Sequence, residues 1–282
     1  MDPLIMNAEK PSLTIALKTL WGAAEMPFGD ACAQPYRHPN FEELTRRLQQ
    51  LCEIGASGLL HGPNGIGKSY LCGCFTDQLP EKRYKILSLA HSSLTGSDLI
   101  RALCRQLGVQ PQMRRSDSVA TIHSALGQLS GRWPLLVLEE AQNFSASALE
   151  EVRLLTCASS DTRPPFSLLL IGEDSLLPRL QMGVNHALIS RLGFALALTR
   201  LEPVQAREYV AARLRAVGVH SNPFEDQGLE LLIQAASGLP RAINHLAQRA
   251  IEVAAAAATP TISATHVQAA LDRLPWLGSS AA

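Results

Sequence analysis

The sequence has no excess charge of either sign: 25 Lys and Arg stand against 25 Asp and Glu in 282 residues. Neutrality gives no support to a uniformly basic nucleic-acid binder, so any DNA contact has to come from a local patch or from many copies arrayed together. No apolar run reaches the ~18–20 residues that cross a bilayer. The first residues, Met1-Asp2-Pro3-Leu4-Ile5, lack the basic stretch and apolar core of a secretory leader. Cysteine is sparse and scattered, at Cys32, Cys52, Cys72, Cys74, Cys104 and Cys157. The Cys72-x-Cys74 pair lies on a stretch that reads as helix and lacks metal-ligand spacing. That usage fits reduced thiols in a cytoplasmic protein better than a disulfide framework or a zinc site. There is no internal repeat and no long low-complexity segment. The length suffices for one large domain or two modest ones.

What is present is a phosphate-binding loop. Residues 62–69 read Gly-Pro-Asn-Gly-Ile-Gly-Lys-Ser, a full G-x-x-x-x-G-K-S. An apolar strand, Ser57-Gly58-Leu59-Leu60, precedes it, and a helical stretch through Tyr70, Leu71, Cys72 and Phe75 follows. Gly62, Gly65 and Gly67 allow a tight backbone whose N–H groups point inward. Pro63, Asn64 and Ile66 complete the loop, and the helix N-terminus adds donors for the β- and γ-phosphates. Lys68 supplies a point charge at the transferring phosphoryl, and the Ser69 hydroxyl is a magnesium ligand. The motif implies ATP and Mg²⁺.

The rest of the chain reads as an α/β fold. Residues 1–40 look like an irregular arm with a short helix at Thr14–Trp21 and a turn at Met26-Pro27-Phe28-Gly29-Asp30. Asn40 is a candidate N-cap for a helix over 41–54. Strands are expected at 57–61, 84–89, 134–138, 166–171 and 194–198. Pro134-Leu135-Leu136-Val137-Leu138 is a continuous apolar run suited to a central parallel strand. Helices are expected at 96–107, 117–130, 145–157 and 174–182. After residue 201 only helical periods follow, at 204–217, 225–236, 240–256 and 263–273. The pattern predicts a five-stranded parallel sheet between helices over 41–201, an all-helical lid over 202–275, and a tail at 276–282.

Two carboxylates at the end of a central strand are what ATP hydrolysis requires: one orients hydrated magnesium, the other polarises the attacking water. Glu139 and Glu140 stand at that place, Glu139 one methylene longer than the usual Asp. The alternative is a solvated acidic pair opening a loop. The spacing from Lys68 to Glu139 leaves room for a strand inserted between the two motifs. Glu173, at the tip of the strand over 166–171, is the candidate to sense the γ-phosphate; it reads equally well as a helix-start acid. Arginines that stabilise the transferring phosphoryl are Arg191, from a neighbouring subunit, and Arg241, opening a lid helix and reaching the nucleotide in cis. Arg179 is a third. Any of these also fits a surface ion pair.

These residues resemble AAA+ ATPases of the ExeA type and their relatives, the transposition helper ATPases of the TniB, TnsC, MuB and IstB types. The resemblance rests on residues 62–69, on Glu139-Glu140-Ala141-Gln142-Asn143 after its apolar run, on Leu149–Leu155, on Leu170-Ile171-Gly172, on Gly238-Leu239-Pro240-Arg241-Ala242-Ile243-Asn244, and on Pro27-Phe28-Gly29. It covers roughly residues 26–255. Secretion-type members carry a membrane span and a periplasmic peptidoglycan-binding part, and this chain ends after the lid, which points to the transposition branch. Such proteins oligomerise on duplex DNA in the ATP state, as rings or helical filaments, and recruit or activate a DDE-type transposase. By that resemblance DNA would meet the loop after the second strand and its following helix. Here those residues are His91, Ser92, Ser93 and Thr95, with Arg101, Arg105, Arg114 and Arg115 nearby. An ordinary solvated loop is the plainer reading. A secretion accessory ATPase without a DNA role, and a weakly hydrolysing nucleotide-gated scaffold, are the competing functions.

Overall fold

The computed structural model describes residues 13–29, 36–90, 94–129, 131–156 and 166–277. In chain order the elements are α1 (Leu13–Trp21), α2 (Pro39–Glu53), β1 (Ser57–His61), α3 (Lys68–Thr76), β2 (Tyr84–Leu89), α4 (Gly96–Gln106), α5 (Arg115–Gly127), β3 (Trp133–Leu138), α6 (Ala146–Leu155), β4 (Ser167–Gly172), α7 (Leu176–Gln181), α8 (His186–Ile189), β5 (Leu192–Ala197), α9 (Pro203–Ala216), α10 (Asp226–Ala236), α11 (Pro240–Ala256) and α12 (Ala264–Leu271). Short 3₁₀ turns cover Ala141–Asn143 and Gly183–Asn185.

The chain divides into two compact units, and the first runs from Pro39 to Thr199. Its five strands form one parallel sheet in the order β2-β3-β4-β1-β5. Thus β4 is the strand inserted between the phosphate-loop strand and the acidic strand. The central strands β3 and β4 are apolar and buried almost throughout, which parallel strands covered on both faces require. Pairing of Leu59 with Leu170, and of Leu138 with Leu170, puts those side chains on one face. That face meets Leu99, Leu103, Ile122, Leu149 and Val152 of α4, α5 and α6. The opposite face carries Gly58, where a Cβ would lie 2.6 Å from Leu51 Cδ1 and 2.8 Å from Phe194 Cβ. Glycine there lets α2 settle directly on β1.

Local chemistry explains several boundaries. Thr95 and Asp98 form a capping box that starts α4. The Ser145 side chain accepts from the Ala148 N–H to start α6. Asn40 does not cap α2, which begins at Pro39. Its amide instead ties down the exit of β5, accepting from the Thr199 N–H and donating to the Ala197 carbonyl.

The second unit comprises α9 to α12 together with the described residues up to His38. Its core gathers Val210, Leu232, Ile243, Leu246, Ala247, Ala250 and Val267. The segment read as an irregular arm does not stand apart: α1 packs on α11, and Leu17, Ala23 and Phe28 join this core. Trp21 Nε1 donates to the Pro260 carbonyl at 2.6 Å. No helix among the described residues is long and apolar enough to cross a membrane. Asp30, Cys32, Cys157 and residues 278–282 of the expected tail lie outside the described residues.

Candidate nucleotide site

The site begins where β1 ends. A Cβ on Gly62 would lie 2.5 Å from the Leu198 carbonyl oxygen, so only glycine lets the loop leave β1 beside β5. Gly65 and Gly67 take φ of 76° and 105°, where glycine alone is unstrained. Gly67 is the N-cap of α3 and offers no side-chain cap. The first N–H groups of α3 are thereby left for an anion. Lys68 is buried, and its ammonium donates to the carbonyls of Gly62 and Pro63 at 2.9 and 3.0 Å. The loop thus holds its own cation inward.

The Ser69 hydroxyl donates to Glu139 Oε2 in a short hydrogen bond. The two expected magnesium ligands therefore meet across the inserted strand, and the extra methylene of Glu139 does not prevent it. Both are hard oxygen donors, which is what Mg²⁺ takes when triphosphate oxygens and water complete its shell. Among the described residues no group of three or more His, Cys, Asp or Glu gathers to hold a metal. The residues fit the ion; when bound, it would neutralise charge on the phosphates. Glu139 is set by its backbone N–H, which donates to the Leu89 carbonyl at 2.9 Å.

Glu140 follows with a left-handed backbone, φ 56°, uncommon for a residue with a Cβ. Its Oε2 accepts from Gln142 Nε2 at 2.8 Å. Glu173 meets the same turn through its backbone, its N–H donating to Gln142 Oε1 at 3.1 Å. Asp174 Oδ1 pairs with His61 Nδ1 at 2.8 Å, joining the ends of β4 and β1. Buried thiols nearby are inert: burial, reinforced by the Glu139 charge, pushes Cys72 up to about 12, and burial does the same to Cys52.

The arginines divide by role. Arg179 donates to the carbonyls of Gln142 and Phe144, so it clamps the turn after β3. Arg191, half-buried before β5, donates to the Ala187 carbonyl. Arg241 opens α11 in the helical unit and is exposed. Tyr70 is exposed beside Ser69, its ring 6.4 Å from that of Phe41. His61, the bridging role of Gln142 and the clamping role of Arg179 escaped the sequence reading. Each depends on β4 lying beside β1 and β3, which no local signal carries.

Of the expected DNA residues, Ser93, with His91 and Ser92, lies outside the described residues. Thr95 caps α4, and its hydrogen bonds hold the Asp98 carboxyl below the usual range. Arg101 and Arg105 are exposed, four apart on α4. Arg114 is exposed at the N-cap of α5. Arg115 differs: its Nε pairs with Glu151, whose side chain is only 5% exposed. Its charge is taken up by a buried carboxylate.

A family model described as AAA domain matches residues 53–180. The chain is 27% identical over 240 residues to general secretion pathway protein A of Aeromonas hydrophila, covering 82% of this chain and 43% of that protein. It spans less than half of that relative's length, so the end of this sequence does not separate the secretion branch from the transposition branch. The fold is similar to the Aeropyrum pernix ORC2 protein in its ADPNP–ADP complexes, with TM-score 0.66, 18% identity, 92% of this chain and 72% of that one. It is also similar to the Aeropyrum pernix ORC1 protein in complex with DNA, with TM-score 0.65, 16% identity, 88% of this chain and 68% of that one. Phosphate loop, inserted strand, acidic pair and domain match agree: the chain has the AAA+ P-loop fold, carries an AAA domain over residues 53–180, and is similar to ATPases of the ExeA type.

Proposed function

We propose that this chain binds MgATP and hydrolyses it, and that the ATP state governs its assembly with further copies of itself on duplex DNA, where it recruits or activates a DDE-type transposase. The observation that carries the proposal is the Ser69–Glu139 contact, with Glu140 next in the chain. The loop N–H groups and Lys68 hold the triphosphate, and Ser69 and Glu139 hold the ion. Glu140 polarises the attacking water and takes its proton. Arg191 of a neighbouring copy and Arg241 of the lid stabilise charge on the γ-phosphoryl, and Glu173 senses that phosphate.

The DNA part is supported by exposed Arg101, Arg105 and Arg114 around α4 and the start of α5. Phosphate contacts need only such cations, hydroxyls and helix N-termini. A neutral protomer gains affinity when many copies each add a few contacts. The work is cytoplasmic in this reading. A second reading, an accessory ATPase of secretion without a DNA role, is favoured by the similarity to general secretion pathway protein A.

Phosphate release with and without duplex DNA, and electron microscopy with ATP and DNA, test the proposal. Stimulation by DNA and ATP-dependent filaments are expected. Hydrolysis indifferent to DNA, with monomers on the grid, favours the secretion reading. Nucleotide binding without hydrolysis leaves a nucleotide-gated scaffold.

A further inference from the structure

We infer that Gln142 is a positioning residue, tying the Glu140 carboxylate to the tip of β4 so that the acid moves with that strand end. The inference rests on the reading of Glu140 as the water-polarising base. Both ends of the Gln142 amide are engaged: Nε2 donates to Glu140 Oε2 at 2.8 Å, and Oε1 accepts from the Glu173 N–H at 3.1 Å. Polarity makes this orientation the one that works. A carboxylate only accepts and a backbone N–H only donates, so the bridge needs a side chain with a donor at one end and an acceptor at the other.

The surroundings are built for the bridge. Arg179 holds the turn's backbone from α7 by donating to the carbonyls of Gln142 and Phe144. That leaves the Gln142 side chain to span the gap between β3 and β4. At Gly172 a Cβ would lie 3.0 Å from Gln142 Oε1 and 2.7 Å from Leu176 Cδ2, so glycine opens the space the amide occupies. With Oε2 of Glu140 engaged, its other oxygen is left for the water.

The test compares wild type with Gln142→Ala, Gln142→Glu and Glu140→Gln, and with the Gln142→Ala/Glu140→Gln pair. Gln142→Ala is expected to lower kcat about tenfold or more, while affinity for a non-hydrolysable ATP analogue with magnesium stays within about twofold. Gln142→Glu is nearly isosteric but lacks the donor, so it should lose as much. In the Glu140→Gln background, Gln142→Ala should lower the residual rate no further. An unchanged kcat in Gln142→Ala or Gln142→Glu overturns the inference. So does a loss of equal size in the Glu140→Gln background. A wild-type protein that binds ATP without hydrolysing it would sink the functional reading instead. The bridge is then judged from urea midpoints of wild type, Gln142→Ala, Glu140→Ala and their double variant, where non-additive losses support it and additive losses overturn it.

Discussion

Glu140 carries a backbone conformation that its side chain does not favour, and this can be measured apart from its chemistry. At φ 56° a residue with a Cβ is left-handed, which costs about 1–2 kcal/mol relative to glycine. Replacing Glu140 by Gly and by Ala removes the same exposed carboxylate and the same hydrogen bond from Gln142. Those losses cancel in the comparison, and the difference isolates the backbone. Against the strain relieved, glycine adds about 0.4–1 kcal/mol of unfolded-chain entropy. The Gly variant should therefore be more stable than the Ala variant by about 0.5–1 kcal/mol, or roughly 2–3 °C in Tm for a unit of this size. Urea denaturation followed by far-UV circular dichroism gives the first quantity, and phosphate release gives the second readout. Both variants should bind ATP and fail to hydrolyse it. An Ala variant as stable as the Gly variant would refute the strained backbone. Wild-type hydrolysis in either variant would refute Glu140 as the base.

Gly62→Ala puts a Cβ 2.5 Å from the Leu198 carbonyl; the loop must shift, and ATP affinity measured by calorimetry should fall about tenfold or more with a stability loss of about 1–3 kcal/mol. Arg115→Ala strands the buried Glu151 carboxylate, so urea unfolding should show a loss of about 1–3 kcal/mol, part of it recovered by adding Glu151→Gln. Burial holds His123 below the usual imidazole value, with its bond to the Leu155 carbonyl pulling the other way. The unfolded chain then takes up the proton first, so stability is full above about pH 6.5 and declines as pH falls below it. Urea midpoints from pH 7.5 to 5 should show that decline, and His123→Phe should flatten it.

Most of the fold was legible because its signals are local. The apolar runs ending at Leu60, Leu138 and Ile171 mark strands that must be buried on both faces, and Gly238-Leu239-Pro240 marks the start of α11. Where a signal was weak, boundaries moved. Helix α5 begins at Arg115, two residues before the expected 117, and Arg114 caps it without a side-chain bond. Asn40 looked like a cap and proved to be a tie to β5. The phosphate loop and the acidic pair were legible as motifs whose residue types the chemistry dictates. The contacts made by Gln142, His61 and Arg179 were not, since they join segments neighbouring only in space. The left-handed Glu140 was also hidden, because nothing in Glu-Glu-Ala-Gln favours that conformation.

The central claim is that Lys68, Ser69 and the loop glycines form a magnesium-dependent triphosphate cradle. Titration of a fluorescent ATP analogue into the wild-type protein and into Lys68→Ala, each with and without Mg²⁺, tests it most directly. Saturable binding that weakens without magnesium and disappears in Lys68→Ala is the expected result. A wild-type protein that fails to bind the analogue with magnesium present, or a Lys68→Ala variant that binds it equally well, would contradict the account.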